Sequence, residues 1–195
     1  MLSGDVASAA KALQGHNGGY FEDATKPEFR EVDSLWKRAT GALEKAERAG
    51  KIAQQDGKEI EAARLMHEAA STYPELPALA LAAESADSGV AFARKDYDTF
   101  LAISEKQWNE HNVSQTAGVL SSALACKYTV TGDVSYKQRS EAMLERARQL
   151  AEGNKEAAKE LDEYAERILF RLESRQIINK TEYDRRFRGG KTVSR

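Results

Sequence analysis

The chain has 195 residues, of which 41% are hydrophobic and 31% are charged, and its 29 basic and 31 acidic residues leave a net charge of -2. A nearly neutral protein exerts little overall attraction on nucleic acid or on an anionic membrane, so neither is expected as a partner of the whole chain. No stretch supplies the roughly 18 consecutive apolar residues that a membrane span requires. Three prolines and a single cysteine are typical of a helical protein without internal disulfides, and we expect a cytoplasmic location.

Residues 1–30 form the least regular segment. The run GHNGGYFEDATKP is dense in glycine and ends in a proline, which predicts a loop. We expect the aromatic residues Tyr20, Phe21 and Phe29 to anchor this segment to the rest of the protein.

The helical period becomes clear from Pro27 onward. Apolar residues recur at intervals of three and four positions at Val32, Leu35, Trp36, Ala39, Leu43 and Ala46. This helix either continues towards Gln54 or breaks near Thr40-Gly41. A turn at 55–57 follows, and the next helix extends from about Lys58 to Thr72, since proline at position 74 cannot continue helical hydrogen bonding.

Two further helix pairs follow the first. One helix is predicted from about 78 to 94, and its partner ends at 111–112. The third pair begins near Ser114, a predicted N-cap, and its second helix follows an irregular insertion at 134–139. The predicted turns at Gly57, Lys95 and Gly132 are 38 and 37 residues apart, and this regular spacing is typical of a helical repeat.

Residues 43–152 resemble degenerate tetratricopeptide repeats. The first repeat matches best, with Gly50 at the close-packing position, Gly57 in the turn, Ala62 and Ala69 on the second helix and Pro74 at the end. The resemblance implies an all-α fold, an α-solenoid of antiparallel helix pairs. Such a solenoid stacks helix pairs because one pair cannot bury its apolar faces alone.

A long amphipathic helix is predicted from about Lys155 to Asn179, and we expect it to be the longest in the chain. Its apolar face consists of Ala157, Leu161, Tyr164, Ala165, Ile168 and Leu172. This face either caps the last repeat, which we favour, or packs on a second copy in a homodimer. The predicted domain organisation is therefore an irregular segment 1–30, a repeat domain 31–180 and a basic, flexible tail 181–195.

The tail contains a short helical stretch at 181–184 and then a basic cluster around Phe187. Its cationic residues are Arg185, Arg186, Arg188, Lys191 and Arg195. This cluster either attaches the protein to nucleic acid or another anionic surface, or serves as a solubilising terminus. The second interpretation is favoured because the remainder of the chain is not basic.

Residue patterns typical of catalysis are not found in the sequence. His16, His67 and His111 are too far apart for a local zinc motif, and neither a phosphate-binding glycine loop nor a G-x-S-x-G elbow occurs. We therefore expect no enzymatic activity, no cofactor and no metal. Cys126 lies in an apolar helical segment and is predicted to be a buried thiol.

The resemblance implies that partners bind to a concave surface lined by the first helix of each pair. The residues predicted to contact a partner there are Arg48, Lys51, Gln54, Gln55, Ser85, Phe92, Ser122 and Thr129. The carboxylate clamp of chaperone-binding family members is not present, because Glu47, Ala86, Val119 and Ala123 occupy its positions. The predicted function is a non-catalytic scaffold that binds a peptide or a partner helix, with self-assembly through the C-terminal helix as the alternative.

Overall fold

The structure is a computed structural model that describes residues 27–55 and 57–189. All regular secondary structure in this part of the chain is α-helical, which confirms the predicted fold class at that level. The helices are α1 (Pro27–Ala53), α2 (Glu59–Thr72), α3 (Pro77–Ala93), α4 (Tyr97–Glu110), α5 (Ser114–Thr131), α6 (Val134–Ala151), α7 (Lys155–Ser174) and α8 (Lys180–Phe187). The predicted irregular segment 1–30 lies outside the described residues up to position 26, and its last four residues, 27–30, belong to α1.

The chain divides into two compact units, Met1–Arg94 and Lys95–Arg195. The first unit carries α1 to α3, and the second carries α4 to α8. The division falls inside the segment 31–180 that the sequence assigns to one repeat domain.

The three predicted repeat turns are confirmed, and all three have a left-handed residue. The backbone angle φ is 79° at Gly57, 60° at Lys95 and 75° at Gly132. This conformation is strained for any residue with a Cβ, so glycine is the natural choice, and Lys95 adopts it less readily. The regular spacing of the turns thus reflects a repeated backbone requirement.

Two predicted features of the third helix pair are wrong. Helix α6 begins directly at Val134, because the Asp133 carboxylate caps it by accepting from the Ser135 amide at 2.8 Å. The expected insertion at 134–139 is therefore the first turn and a half of a helix. Ser114 is the first residue of α5 and not its N-cap, and its hydroxyl donates instead to the Ala147 carbonyl at 2.9 Å.

Helix α7 is shorter than the sequence indicates. It has 20 residues and ends at Ser174, whereas α1 has 27 residues and continues without a break through Thr40 and Gly41. The helix ends there because Arg175 is in the left-handed region, with φ 53°. The prediction that the C-terminal helix reaches Asn179 and is the longest is thus wrong.

The core of the first unit is built mainly from alanine. Helix α2 packs against α1 and α3. The buried cluster at these contacts consists of Ala42, Ala46, Ala69 and Leu79. Small side chains allow the helix backbones to approach closely, and Ala62 and Ala69 are buried as the repeat resemblance implies.

Gly50 does not have the close-packing role that the resemblance assigns to it. It is exposed, and a Cβ added there would meet no neighbouring atom within 4 Å. The close contacts of α1 are made instead by the buried residues Ala42 and Ala46. This removes one of the five residues on which the resemblance of the first repeat depends.

The second unit is organised around α5, which packs against α4, α6 and α7. Its positions from Leu120 to Cys126 are all buried, because neighbouring helices cover several sides of it. Leu161, Ala165, Ile168 and Leu172 of α7 belong to the same core and are 6% exposed or less. Four of the six residues of the predicted apolar face of α7 are therefore used within this unit, whereas Tyr164 on the same face is 42% exposed.

Candidate partner-binding surface

Four of the predicted contact residues lie at the C-terminal end of α1. Arg48 and Lys51 are on its last turns, Gln54 and Gln55 follow it, and all four are exposed. Lys51 Nζ lies 2.6 Å from a carboxylate oxygen of Glu47 one turn earlier. An exposed pair of this kind contributes little to stability, so these side chains can exchange their contacts for those of a partner.

Ser85 and Phe92 are carried by α3 in the same unit. Ser85 is exposed, and its hydroxyl donates to the Leu81 carbonyl at 3.0 Å. Phe92 is half-buried, so part of its ring is accessible. The first unit thus places its six predicted residues on two helices and one turn.

Ser122 and Thr129, in the second unit, join α5 to α7. Ser122 is 4% exposed, and its hydroxyl accepts a hydrogen bond from Nη1 of Arg171 at 2.5 Å. The half-buried Thr129 hydroxyl donates to the Ala125 carbonyl at 2.8 Å and lies 3.5 Å from the Arg171 carbonyl. These two residues act mainly within the unit, because α7 covers the face of α5 on which they lie.

Sequence reasoning missed two buried arginines on α7, Arg167 and Arg171. They are 8% and 5% exposed, although arginine is almost never buried without a partner. The Arg167 guanidinium carbon lies 4.8 Å from the ring centre of Tyr164, and burial lowers the pKa of Arg167 below its usual value. Their spacing of four residues beside the apolar face was the signal that could have identified them.

Cys126 is a buried thiol, as predicted. Burial raises its pKa to about 11, against the opposing effect of the Arg171 charge. Burial also raises the pKa of Tyr97 on α4, with a further contribution from the nearby Cys126. The thiolate is the reactive form of cysteine, so this side chain is inert at neutral pH.

Arg175 closes the end of α7 against α5. Its guanidinium lies 5.5 Å from the ring centre of Tyr128 and donates to the Thr129 carbonyl at 3.4 Å. A Cβ added at Gly132 would lie 3.1 Å from an Arg175 nitrogen, so glycine serves both the turn and this side chain. The contact fixes the C-terminal end of α7.

Helix α8 folds back onto α7 through three aromatic rings. The ring centres of Phe170, Tyr183 and Phe187 are 4.9 to 5.7 Å apart, and Phe187 remains 56% exposed. Aromatic pairs in tilted and edge-to-face geometry stabilise such a contact beyond simple burial. Part of the predicted tail is therefore a helix with a defined docking face.

The basic cluster of α8 is largely matched by carboxylates. Glu182 accepts from both Arg185 and Arg186 at 2.5 Å, and Glu166 of α7 accepts from Arg188 at 2.5 Å. These contacts lower the pKa of Glu182 and raise that of Arg188. Anionic-surface attachment would have to compete with these ion pairs, and Lys191 and Arg195 lie outside the described residues.

Grooves elsewhere are shallow and lined by surface side chains. One, of about 650 Å³, is lined by residues of α1 and α2 including Lys45, Arg64 and His67. His67 Nε2 lies 2.9 Å from both carboxylate oxygens of Asp87.

Among residues 27–55 and 57–189, no three histidine, cysteine or acidic side chains are grouped so that they could hold a metal ion. Within the same ranges, no helix is both long and apolar enough to cross a bilayer.

The chain matches no protein-family model, no curated protein and no solved structure. The tetratricopeptide resemblance therefore stays a prediction that depends on the residues and turns described above.

Proposed function

We propose that this protein is a non-catalytic interaction module, a tetratricopeptide-like stack of helix pairs that binds a peptide or a partner helix. The observation that carries the proposal is the packing of α5 against two helices. One is α6, its partner in the third helix pair, and the other is α7, which would be the first helix of the next pair. In stacked helix pairs the first helices lie side by side and form one continuous surface. The hydrogen bond from Arg171 to Ser122 joins the two helices in this manner.

The surface of α7 has the composition of a partner-binding site. Tyr164 is 42% exposed and stacks on a buried arginine, and both residue types are enriched among the side chains that dominate binding energies. Phe187, also exposed, adds an aromatic side chain from α8.

Selection from a displayed library of random peptides tests the proposal. We expect the purified chain to enrich a family of related sequences, and Tyr164→Ser to weaken the best of them by about tenfold or more, as is usual for an aromatic hot spot. Arg146→Gln is the matched control, since Arg146 is exposed on α6 and its side chain hydrogen-bonds to Gln149 on the same helix. No enrichment, or equal weakening by both variants, would contradict the proposal.

A second pair of variants tests the residues predicted in the first unit. Arg48→Glu together with Lys51→Glu reverses two charges at the end of α1, whereas Lys37→Glu reverses an exposed charge earlier on the same helix. If the end of α1 takes part in binding, only the double variant weakens the selected peptides. Equal binding by all forms would confine the surface to the second unit.

A further inference from the structure

Helix α8 is held on α7 by contacts at the molecular surface. The ring centres of Tyr183 and Phe187 lie 5.7 and 5.1 Å from that of Phe170 on α7. Arg188, the residue after α8, donates to a Glu166 oxygen of α7 at 2.5 Å. No residue of α8 is buried, and Phe187 is 56% exposed. The helix therefore lies against α7 without being part of the core of the second unit.

The ion pairs of α8 do little to hold it in place. Its lysine and arginine side chains pair with Glu182 and Asp184 of the same helix, so these pairs stabilise α8 and not its docking. The pair between Arg188 and Glu166 does reach α7, but its side chains are 37% and 53% exposed, and exposed pairs contribute little. The docking of α8 thus depends mainly on the aromatic rings.

The connection between α7 and α8 permits α8 to move by itself. Residues 175–179 lie outside both helices. Arg175 contacts Tyr128 and Thr129 of α5, so α7 stays fixed up to that residue. A helix of eight residues is marginally stable on its own, and elements with little buried surface open while the rest of a protein stays folded. Together these features indicate that α8 can leave α7 with the core intact.

We propose that α8 is a displaceable occupant of the partner-binding face of α7, and that the partner resembles it in chemistry. This assignment rests on the proposed function. The partner is a segment with two aromatic residues four positions apart, followed directly by a cationic residue. Helix α8 has this pattern itself, because Tyr183 and Phe187 lie one turn apart on the same face and Arg188 follows. The partner would place its rings on Phe170 and its charge on Glu166.

The charge of α7 favours a cationic partner. Both arginines of α7 are buried, and from position 160 to its end the exposed charged residues are all acidic, namely Glu160, Asp162, Glu166 and Glu173. A surface of one sign attracts segments of the opposite sign and repels those of its own. An acidic segment is therefore disfavoured on this face.

Aromatic side chains on α7 favour an aromatic partner. Phe170 is half-buried beneath the rings of α8, and Tyr164 is 42% exposed on the same helix. Aromatic pairs in tilted or edge-to-face geometry gain more than aliphatic side chains of similar area. An aliphatic segment could cover Phe170 but would lose this gain, so it would displace α8 poorly. An aromatic segment regains it and can extend its contact to Tyr164.

Variants of the full chain that undock α8 test the inference. Tyr183→Ser together with Phe187→Ser removes both rings that contact Phe170 and leaves the sequence of α7 unchanged. Loss of an occupant that covers the face about nine-tenths of the time tightens binding about tenfold. We expect this gain for the best peptides from the displayed library, measured by fluorescence anisotropy.

A second variant and a control accompany the first. Arg188→Glu undocks α8 by repulsion from Glu166 and should also tighten binding. Arg185→Gln is the control, since Arg185 has a side chain that is 72% exposed and pairs with Glu182 within α8. Its affinity for the peptides should equal that of the native chain. Circular dichroism checks that α1 to α7 are retained in each variant.

A charge reversal on α7 tests the chemistry of the partner. The selected peptides are expected to share the aromatic and cationic pattern, and exchange of their cationic residue for glutamate should weaken binding to the native chain about tenfold. In Glu166→Lys this preference should reverse. The ratio of the two affinities does not depend on how often α8 is docked. Asp162→Asn, at an exposed position of α7, is the control and should keep the native preference.

The outcomes separate this inference from the proposed function. Equal affinity of the native chain and both undocked variants, peptides without the shared pattern, or a preference that Glu166→Lys does not reverse would each overturn the inference and leave the interaction module standing. A native dimer that Tyr183→Ser/Phe187→Ser dissociates in light scattering would assign the face to α8 of a second copy and would also overturn it. Failure to enrich any peptide would count against the proposed function itself.

Discussion

The two units share a helical architecture but differ in what they bury. Among the described residues of the first unit, Ser88 is the one buried polar side chain, and the rest of the core is alanine with a few leucines. The second unit buries seven polar side chains, namely Ser104, Gln107, Ser121, Ser122, Ser140, Arg167 and Arg171. The comparison indicates that helix packing alone needs no buried polarity, so the polar groups of the second unit serve another purpose.

Two of these buried polar groups fix the register of α5 against α6. Ser121 of α5 donates to the Ser140 carbonyl of α6 at 2.7 Å, and Ser140 donates back to the Ser121 carbonyl at 2.8 Å. Small hydroxyl side chains allow the two backbones to come close enough for this exchange. A reciprocal bond forms in only one alignment of the helices, whereas alanine contacts tolerate several.

The largest expected loss of stability concerns a feature that both cores share, a completely buried leucine. Leu79 and Leu124 are both completely buried, one in each unit, and truncation of either to alanine should lower the free energy of unfolding by about 2–5 kcal/mol. Urea denaturation measures the loss, and amide hydrogen exchange locates it in the unit that carries the substitution. Ile60→Ala, at a position 58% exposed, is the control and should have little effect. A much smaller loss at Leu79 than at Leu124 would show that the alanine-rich core is loosely packed.

The two buried arginines should respond differently to replacement by methionine. Arg171→Met removes the charged hydrogen bond to Ser122 and should cost about 1–3 kcal/mol of unfolding free energy. Arg167→Met replaces a buried cation whose Nη1 has no hydrogen-bond partner among the described residues, so stability should stay unchanged or rise. Chemical denaturation of both variants checks the order, and a larger loss at Arg167 would show that its stacking on Tyr164 outweighs the cost of burying its charge.

The same serine substitution should have different effects in the two units. Ser121→Ala removes a buried reciprocal hydrogen bond and should cost roughly 1 kcal/mol. Ser88→Ala should be nearly neutral, because the Ser88 hydroxyl makes no hydrogen bond with any described residue and alanine is the better helix former. Thermal unfolding compares the two variants, and equal losses would contradict the proposed role of buried polarity in the second unit.

A pH-dependent effect is expected from Cys126. Its pKa rises from an ordinary value of 9.0 to about 11 on folding, so the folded state retains the thiol proton more strongly than the unfolded state. The resulting stability is fully present below pH 9 and is lost as the pH rises towards 11. At pH 10 the loss should be about 1 kcal/mol, calculated by linkage from that shift.

Urea denaturation of the native chain and of Cys126→Ala at pH 7 and pH 10 isolates this contribution. The native chain should lose more stability between the two values than the variant does, since other titrating groups are common to both. An identical decrease in the two proteins would mean that the thiol ionises as easily in the folded state as in the unfolded state.

The smallest expected change in stability tests the tetratricopeptide resemblance of the first repeat. Gly50 lies within α1, and a Cβ there meets no neighbour within 4 Å, so Gly50→Ala should raise stability by about 0.5–1 kcal/mol through helix propensity alone. Thermal unfolding measures the change. If Gly50 instead had the close-packing role that the resemblance implies, the substitution would destabilise the protein.

Several parts of the structure could be predicted because they depend on near neighbours in the chain. The helical period from Pro27, the left-handed turns at Gly57 and Gly132, and the buried thiol of Cys126 are all encoded in windows of a few residues. The missed start of α6 has the same local origin, since the capping side chain of Asp133 immediately precedes it.

The sequence by itself thus determined that the chain is helical, where most helices begin and end, and which faces are apolar. The tertiary structure alone decided which polar residues are buried: Arg171 reaches Ser122 across 49 residues of sequence, and Arg188 reaches Glu166 across 22. Helical periodicity follows from backbone geometry within one or two turns. The burial of a polar side chain depends on which distant helix covers it, and no local pattern specifies that helix.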